Sequence, residues 1–327
     1  MKRKVSEKRI PAVLLAALFL ACVFPGEAGA VTEEEAWIAL GPGVFYDRTA
    51  QNPASPPGSP AALSAEDRQK IGLNGTWQYA EFSVIRTGEA VLYRAQTGRK
   101  NKTVAVGAGH GTAGGETKKT YSHPDRSPKV TGGTNARGAV MSTCVSSGMV
   151  FRDGTPESRV TLRMAQILRG RLLAQGYDVL MLRDGEDVQL DNVARTVIAN
   201  NSADIHIALH WDGDGLSTIK GAFYMSVPDA LKAMEPVKSH WQEHERLGDA
   251  LILGLETKIP GIRIYSSSGH GQMDMDLTQT SYSTIPSVDI ELGNQCSDHS
   301  DPFLNRLADG LAEGISGYFS KEQQTDR

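Results

Sequence analysis

From residue 103 onward the apolar positions switch between two periods. Short apolar runs such as Val104-Ala105-Val106 and Ile205-His206-Ile207-Ala208-Leu209 read as buried strands. Between them, residues 157–175 carry Val160, Met164, Ile167, Leu168 and Leu172 at helical spacing, and Gly176 supplies a C-terminal stop. The same alternation predicts strands at 177–182, 223–227 and 288–292, and helices at 190–200 and 231–255. A closing helix over 302–319 has Leu304, Leu307, Leu311 and Ile315 on one face. Strands alternating with amphipathic helices predict an α/β fold, a twisted mixed sheet covered by helices on both faces.

The pattern is weaker on either side of this region and inside one long interruption. Residues 76–85 and 90–93 are β-prone and separated by Arg86-Thr87-Gly88-Glu89, which predicts a hairpin in a small β-rich N-terminal extension. Residues 52–60 are rich in Pro, Ser and Gly and read as a linker. Residues 111–154 have little periodicity, and loops of that length in compact domains are usually functional or disordered.

The first 30 residues read as a signal peptide: a Lys/Arg-rich start, an apolar run over 12–24, and Ala28-Gly29-Ala30 before the expected cut. That run is shorter than the roughly 20 residues of a membrane span. Phe19-Leu20-Ala21-Cys22 fits a lipoprotein box poorly because its residues are bulky. The expected organisation is therefore signal peptide 1–30, linker and β-rich extension 31–102, catalytic domain 103–320 and polar tail 321–327. The mature chain is expected to be exported, to periplasm or cell wall, with no membrane span. A net charge of −4 gives no reason to expect nucleic acid or an anionic membrane as partner. Of three cysteines, Cys22 would leave with the signal; Cys144 and Cys296 could pair or stay free, and sequence leaves both open.

Chemistry gathers where the strands end. Gly107-Ala108-Gly109-His110-Gly111 follows one strand, His210 ends a second, and Glu291 lies late in a third, within Pro286-Ser287-Val288-Asp289-Ile290-Glu291-Leu292-Gly293. In open α/β sheets, functional groups collect outside the carboxyl ends of strands. Glu157 opens the amphipathic helix. Two imidazoles and one carboxylate with an open fourth position make a catalytic zinc site, and Glu291, left off the metal, could move protons. Each residue alone has a plainer reading. A lone histidine at a strand end is usually a satisfied polar residue, and Glu157 would suit a helix start electrostatically. Glu291 among apolar neighbours is harder to dismiss, since burying an unpartnered carboxylate is costly.

From residue 103 to 319 the chain resembles the zinc-dependent N-acetylmuramoyl-L-alanine amidases of the amidase-3 type. The matching pieces are Gly109-His110-Gly111, Glu157 with Val160-Thr161-Leu162, Gly176-Tyr177-Asp178-Val179, Arg183, Val193-Ala194-Arg195, Ala203-Asp204 to His210, and residues 286–293. The resemblance implies one zinc ion held by His110, Glu157 and His210, Glu291 as catalytic carboxylate, and peptidoglycan as substrate. Gly107-Ala108 stands where the family commonly has Asp-Pro, and Asp212 where it usually has Asn. The gap between His110 and Glu157 is also longer than usual, which admits Glu116 as a rival ligand. Glu116 is followed by Thr117-Lys118-Lys119-Thr120 and no apolar helix, which favours Glu157. The long insertion then becomes a lid or a substrate-recognition element. Asp212 and Asp289 are open choices for orienting the ligand histidines.

Other readings compete. His240-Trp241-Gln242-Glu243-His244 has the inverted zincin spacing H-x-x-E-H, but no third ligand from a packed helix follows. His206 and His210 would share an ion only on a helix; on a strand they lie about 13 Å apart. Ser266-Ser267-Ser268-Gly269-His270-Gly271 pairs serine with histidine without a nucleophile elbow. An inactive wall-binding protein of the same fold is the alternative from a different class, although loss of activity would normally show as a missing ligand.

Overall fold

The computed structural model describes residues 68–325; the signal peptide and the linker fall outside them. One eight-stranded sheet runs through the described residues, in the order β1-β2-β6-β3-β7-β10-β8-β9. Its centre is parallel: β6 (Asp178–Met181), β3 (Thr103–Ala108), β7 (Ile205–Asp212) and β10 (Ser287–Asn294). On one side β2 (Glu89–Tyr93) pairs antiparallel with β6, and β1 (Arg68–Gly72) with β2. On the other, β8 (Phe223–Ser226) runs antiparallel to β10 and carries the short parallel strand β9 (Gln272–Asp274).

Side-chain alternation along the strands divides the core. Val104, Val106, Ile205, Ile207, Leu209, Val288 and Ile290 face one large cluster. That cluster includes residues of α1 (Glu157–Ala174), α3 (Val237–Lys258) and α5 (Asp301–Thr325). Ala105, Leu180 and Leu182 face a second cluster with α2 (Asn192–Ser202). The period of two that buries Ile205, Ile207 and Leu209 on the first face turns His206, Ala208 and His210 to the second. Asp191 caps α2 by accepting the Ala194 N–H at 2.8 Å. A short α4 (Thr278–Tyr282) lies against α2 and β10. Among the described residues no helix is long and apolar enough to cross a membrane.

Several expectations need correction. Residues 76–85 do not pair with 90–93; the partner of β2 is β1, a largely exposed edge strand. Residues 76–85 instead form turns and one 3-10 turn, because Trp77, Tyr79 and Phe82 pack against α2 residues and Tyr282. In addition, the N–H groups of Val84 and Ile85 both go to Asp191 Oδ2, at 2.7 and 2.8 Å. The helix expected over 231–255 begins only at Val237, after Pro236, since proline suits a helix start and not its interior. The closing helix continues to Thr325, into the expected polar tail. The 111–154 stretch contains a hairpin of β4 (Lys119–Tyr121) and β5 (Met141–Thr143). Cys144 and Cys296 are both free thiols.

Candidate metal centre

The chain leaves β3 through Gly109 and enters His110 with φ at +64°, a left-handed turn at the strand's carboxyl end. Two buried guanidiniums hold that turn. Arg183 donates to the carbonyls of Ala108 at 3.1 Å and Gly109 at 3.0 Å, and Arg195 to those of Ala108 at 3.2 Å and His110 at 2.8 Å. Gly109 is required by space: a Cβ there would meet His210 Cε1 at 2.2 Å.

Three predicted residues converge. His110 Nε2 lies 2.9 Å from Glu157 Oε1, and His210 Nδ1 lies 3.1 Å from each of those atoms. Ligands around a tetrahedral ion with bonds near 2.0–2.1 Å stand roughly 3.3 Å apart, so the triangle is close to the size one ion needs. The tautomer fits as well. His110 Nδ1 donates to the Ser146 carbonyl at 2.8 Å, which fixes the ring and turns Nε2 toward Glu157. The donor set therefore fits a divalent metal.

Glu157 is clamped from both sides. Its N–H donates to the Met149 carbonyl at 3.0 Å, and its Oε2 accepts the Met149 N–H at 2.9 Å. Oε1 also accepts the Trp211 N–H at 3.0 Å. Burial alone would raise this carboxyl, but the two histidines hold it well below the usual carboxylate range. His210 is opposed by burial, yet Asp289 and Glu157 bring it up to about 10. The raised His210 reflects the carboxylates gathered around it, and the lowered Glu157 reflects the two imidazoles beside it.

Glu291 is the register partner of His210 across β7 and β10, and its Oε2 is buried without a hydrogen-bond partner. Burial holds its carboxyl well above the ordinary range, with Asp289 and Glu157 adding to the effect and His210 opposing it. Asp289, two residues earlier on the same face, places Oδ2 3.7 Å from His210 Nε2. Asp212, the other residue considered for orienting a histidine, pairs instead with Lys220. The triad and Glu291 line a cavity of about 500 Å³, whose other walls come from the start of α2, from the 111–156 insertion and from residues 275–279.

The rivals lie elsewhere. Glu116 is exposed in a 3-10 turn and is outside the cluster; His110, Glu157 and His210 form the one group suited to a metal among the described residues. His244 is buried in α3, and its Nδ1 accepts the Ser287 N–H at 2.8 Å. His206 is in a strand, as expected, with Nδ1 3.3 Å from Ser287 Oγ. His270 is exposed and pairs with Glu256 at 3.0 Å, away from the cavity lining. Sequence reasoning had matched Arg183 and Arg195 without a role. The signal was there in Arg195, a cation inside the apolar run of α2.

The N-acetylmuramoyl-L-alanine amidase family model matches residues 104–317, and the chain belongs to that family. No curated protein sequence matches the chain at a significant level. Among solved structures, the N-acetylmuramyl-L-alanine amidase Ami1 from Mycobacterium smegmatis is 19% identical, with a TM-score of 0.56, over 68% of this chain and 98% of its own. The apo form of Ami1 from Mycobacterium abscessus is 20% identical, with a TM-score of 0.54, over 67% of this chain and 99% of its own. These likenesses show a shared fold.

Proposed function

We propose that this protein hydrolyses the amide between the lactyl group of N-acetylmuramic acid and L-alanine in peptidoglycan, using one zinc ion held by His110, Glu157 and His210. The observation that carries this is the 2.9–3.1 Å triangle of ligand atoms with Glu291 beside it, in a chain of this family. Zinc bound there would polarise the scissile carbonyl and acidify a water. The chain's own residues do the rest. The Ser146 carbonyl and the Met149 and Trp211 N–H groups hold the ligands in place. Glu291 takes the proton of the attacking water and returns it to the leaving amine. Cleavage of wall material requires export, which the predicted signal at residues 1–30 would direct.

The test is digestion of purified peptidoglycan by zinc-loaded protein, with mass spectrometry of the fragments. Release of stem peptides with a free L-alanine amine is the expected result. Binding to the wall without release would favour the inactive wall-binding alternative, and a cut between amino acids would favour a peptidase; either overturns the proposal. Removal of the metal by a chelator should stop release, and added zinc should restore it.

A further inference from the structure

Among the contacts that bind the insertion between β3 and α1 to the rest of the domain, one buried carboxylate gathers the most. Asp276 is fully buried and accepts from the N–H groups of Val130 at 2.7 Å and Thr131 at 3.2 Å, and from the Thr131 hydroxyl. Lys129 Nζ lies 2.8 Å from its Oδ1 and also donates to the Asp276 carbonyl; His123 Nε2 lies 3.2 Å from Oδ2. The other nitrogen of His123 is 2.8 Å from Ser281 Oγ, and the Tyr282 hydroxyl donates to the Tyr121 carbonyl at 3.2 Å. Contacts this numerous, and this well shielded from water, make a fixed wall and not a lid.

Both sides of this latch line the cavity, and each offers one side-chain amide with one end already engaged. Asn135 Oδ1 accepts from Thr143 N–H at 3.0 Å and Thr143 Oγ1 at 3.1 Å, which fixes the amide and leaves its N–H₂ for the cavity. Gln279, itself nine-tenths buried, donates from Nε2 to Ser287 Oγ at 2.9 Å, which leaves its carbonyl oxygen as an acceptor. An oriented donor and an oriented acceptor are the complements that the carbonyl and the N–H of a secondary amide call for.

We propose that the Asp276-latched wall builds a second binding subsite that reads a secondary amide of the substrate beside the scissile bond, with Asn135 and Gln279 as its specificity-determining residues. This rests on the amidase function proposed above. Two parts of a muropeptide carry such a group: the acetamido substituent of the sugar, and the peptide bond after L-alanine.

Steady-state hydrolysis of soluble muropeptides by the zinc-loaded protein tests it. Asn135→Asp keeps the acceptor that Thr143 needs and removes the donor. It should raise KM about five- to tenfold, the worth of one hydrogen bond, with kcat, bound metal and Tm near wild type. Gln279→Met should raise KM in the same way. If the KM penalty of Asn135→Asp disappears on a de-N-acetylated muropeptide, the sugar's acetamido group is the ligand. If it disappears on a substrate that ends at L-alanine, the peptide bond is the ligand. Wild-type KM for Asn135→Asp on the intact muropeptide, or a penalty that persists on both altered substrates, overturns the subsite while leaving the amidase reading intact. Wild-type protein inactive on every muropeptide overturns the amidase reading itself.

Discussion

Replacing Gly109 with alanine probes the metal centre without touching a ligand. The added Cβ would sit 2.2 Å from His210 Cε1, 2.5 Å from Nε2 and 2.6 Å from Nδ1, where ordinary contact begins at 3.4 Å. The backbone cannot retreat. Gly109 N–H donates to the Leu209 carbonyl at 3.1 Å, and its own carbonyl accepts from Arg183 and from Thr161 Oγ1 at 2.9 Å. The imidazole must therefore withdraw by about 1.2 Å, whereas metal–ligand bonds tolerate roughly 0.2 Å. Zinc affinity should fall at least about 100-fold, since even loss of an outer partner costs 10- to 100-fold. Overpacking should also cost about 1–3 kcal/mol, several degrees of Tm for a domain of this size. Gly170→Ala is the control. A Cβ at that position of α1 meets nothing within 4 Å, so it should leave the metal alone and stabilise the helix by about 0.5–1 kcal/mol. Competition for zinc against a chromophoric chelator, with circular dichroism to check folding, measures both. Wild-type zinc affinity in Gly109→Ala would refute either His210 as a ligand or its placement.

Three further outcomes are expected. Glu291→Gln should keep one equivalent of metal and lose about 10²- to 10⁴-fold in kcat; near-normal turnover would remove Glu291 from its role. Glu157→Gln should lose the metal while Glu116→Gln keeps it, as counted by elemental analysis; the reverse result would restore the rival ligand. Asp276→Asn tests the latch through pH. Burial pushes the Asp276 carboxyl up, but His123, Lys129, Thr131 and the Val130 N–H outweigh it and hold it well below the usual range. A depressed folded-state pKa stabilises above the unfolded value, near 3.9, and the benefit fades as pH falls below it. The stability gap between wild type and Asp276→Asn, followed through Tm, should be widest above about pH 4, at roughly 3–5 kcal/mol for a buried pair broken on one side. It should narrow in acid; a gap independent of pH would contradict the latch as an ionic contact.

What the sequence disclosed follows from what burial demands. The parallel strands β3, β7 and β10 lie in the middle of the sheet, so their apolar runs are long enough to read. α1 packs on the sheet along one stripe, which is why its spacing separated Glu157 from Glu116. β1 was invisible because Arg68, Gln69 and Lys70 lie on an exposed edge where no apolar pattern is needed. Residues 76–85 misled because their aromatic residues are as common in strands as in packed turns. Their fate was decided by Asp191, more than a hundred residues away. Asp276 gave no signal for the same reason, since its partners at 123–131 are local neither in sequence nor in period.

The two arginines behind the ligand turn explain how such a site can be held before a metal arrives. Among the described residues, Arg183 and Arg195 donate to carbonyls and threonine hydroxyls and to no carboxylate. Burial lowers Arg183 to about 10 and Arg195 to about 9, which marks a real desolvation cost. In return, charge-assisted hydrogen bonds fix the carbonyls of residues 108–110, the stretch that delivers His110 in a left-handed conformation. A turn held less firmly would let the His110 ring rotate away from Glu157, and the binding geometry would have to be rebuilt at each encounter with the ion.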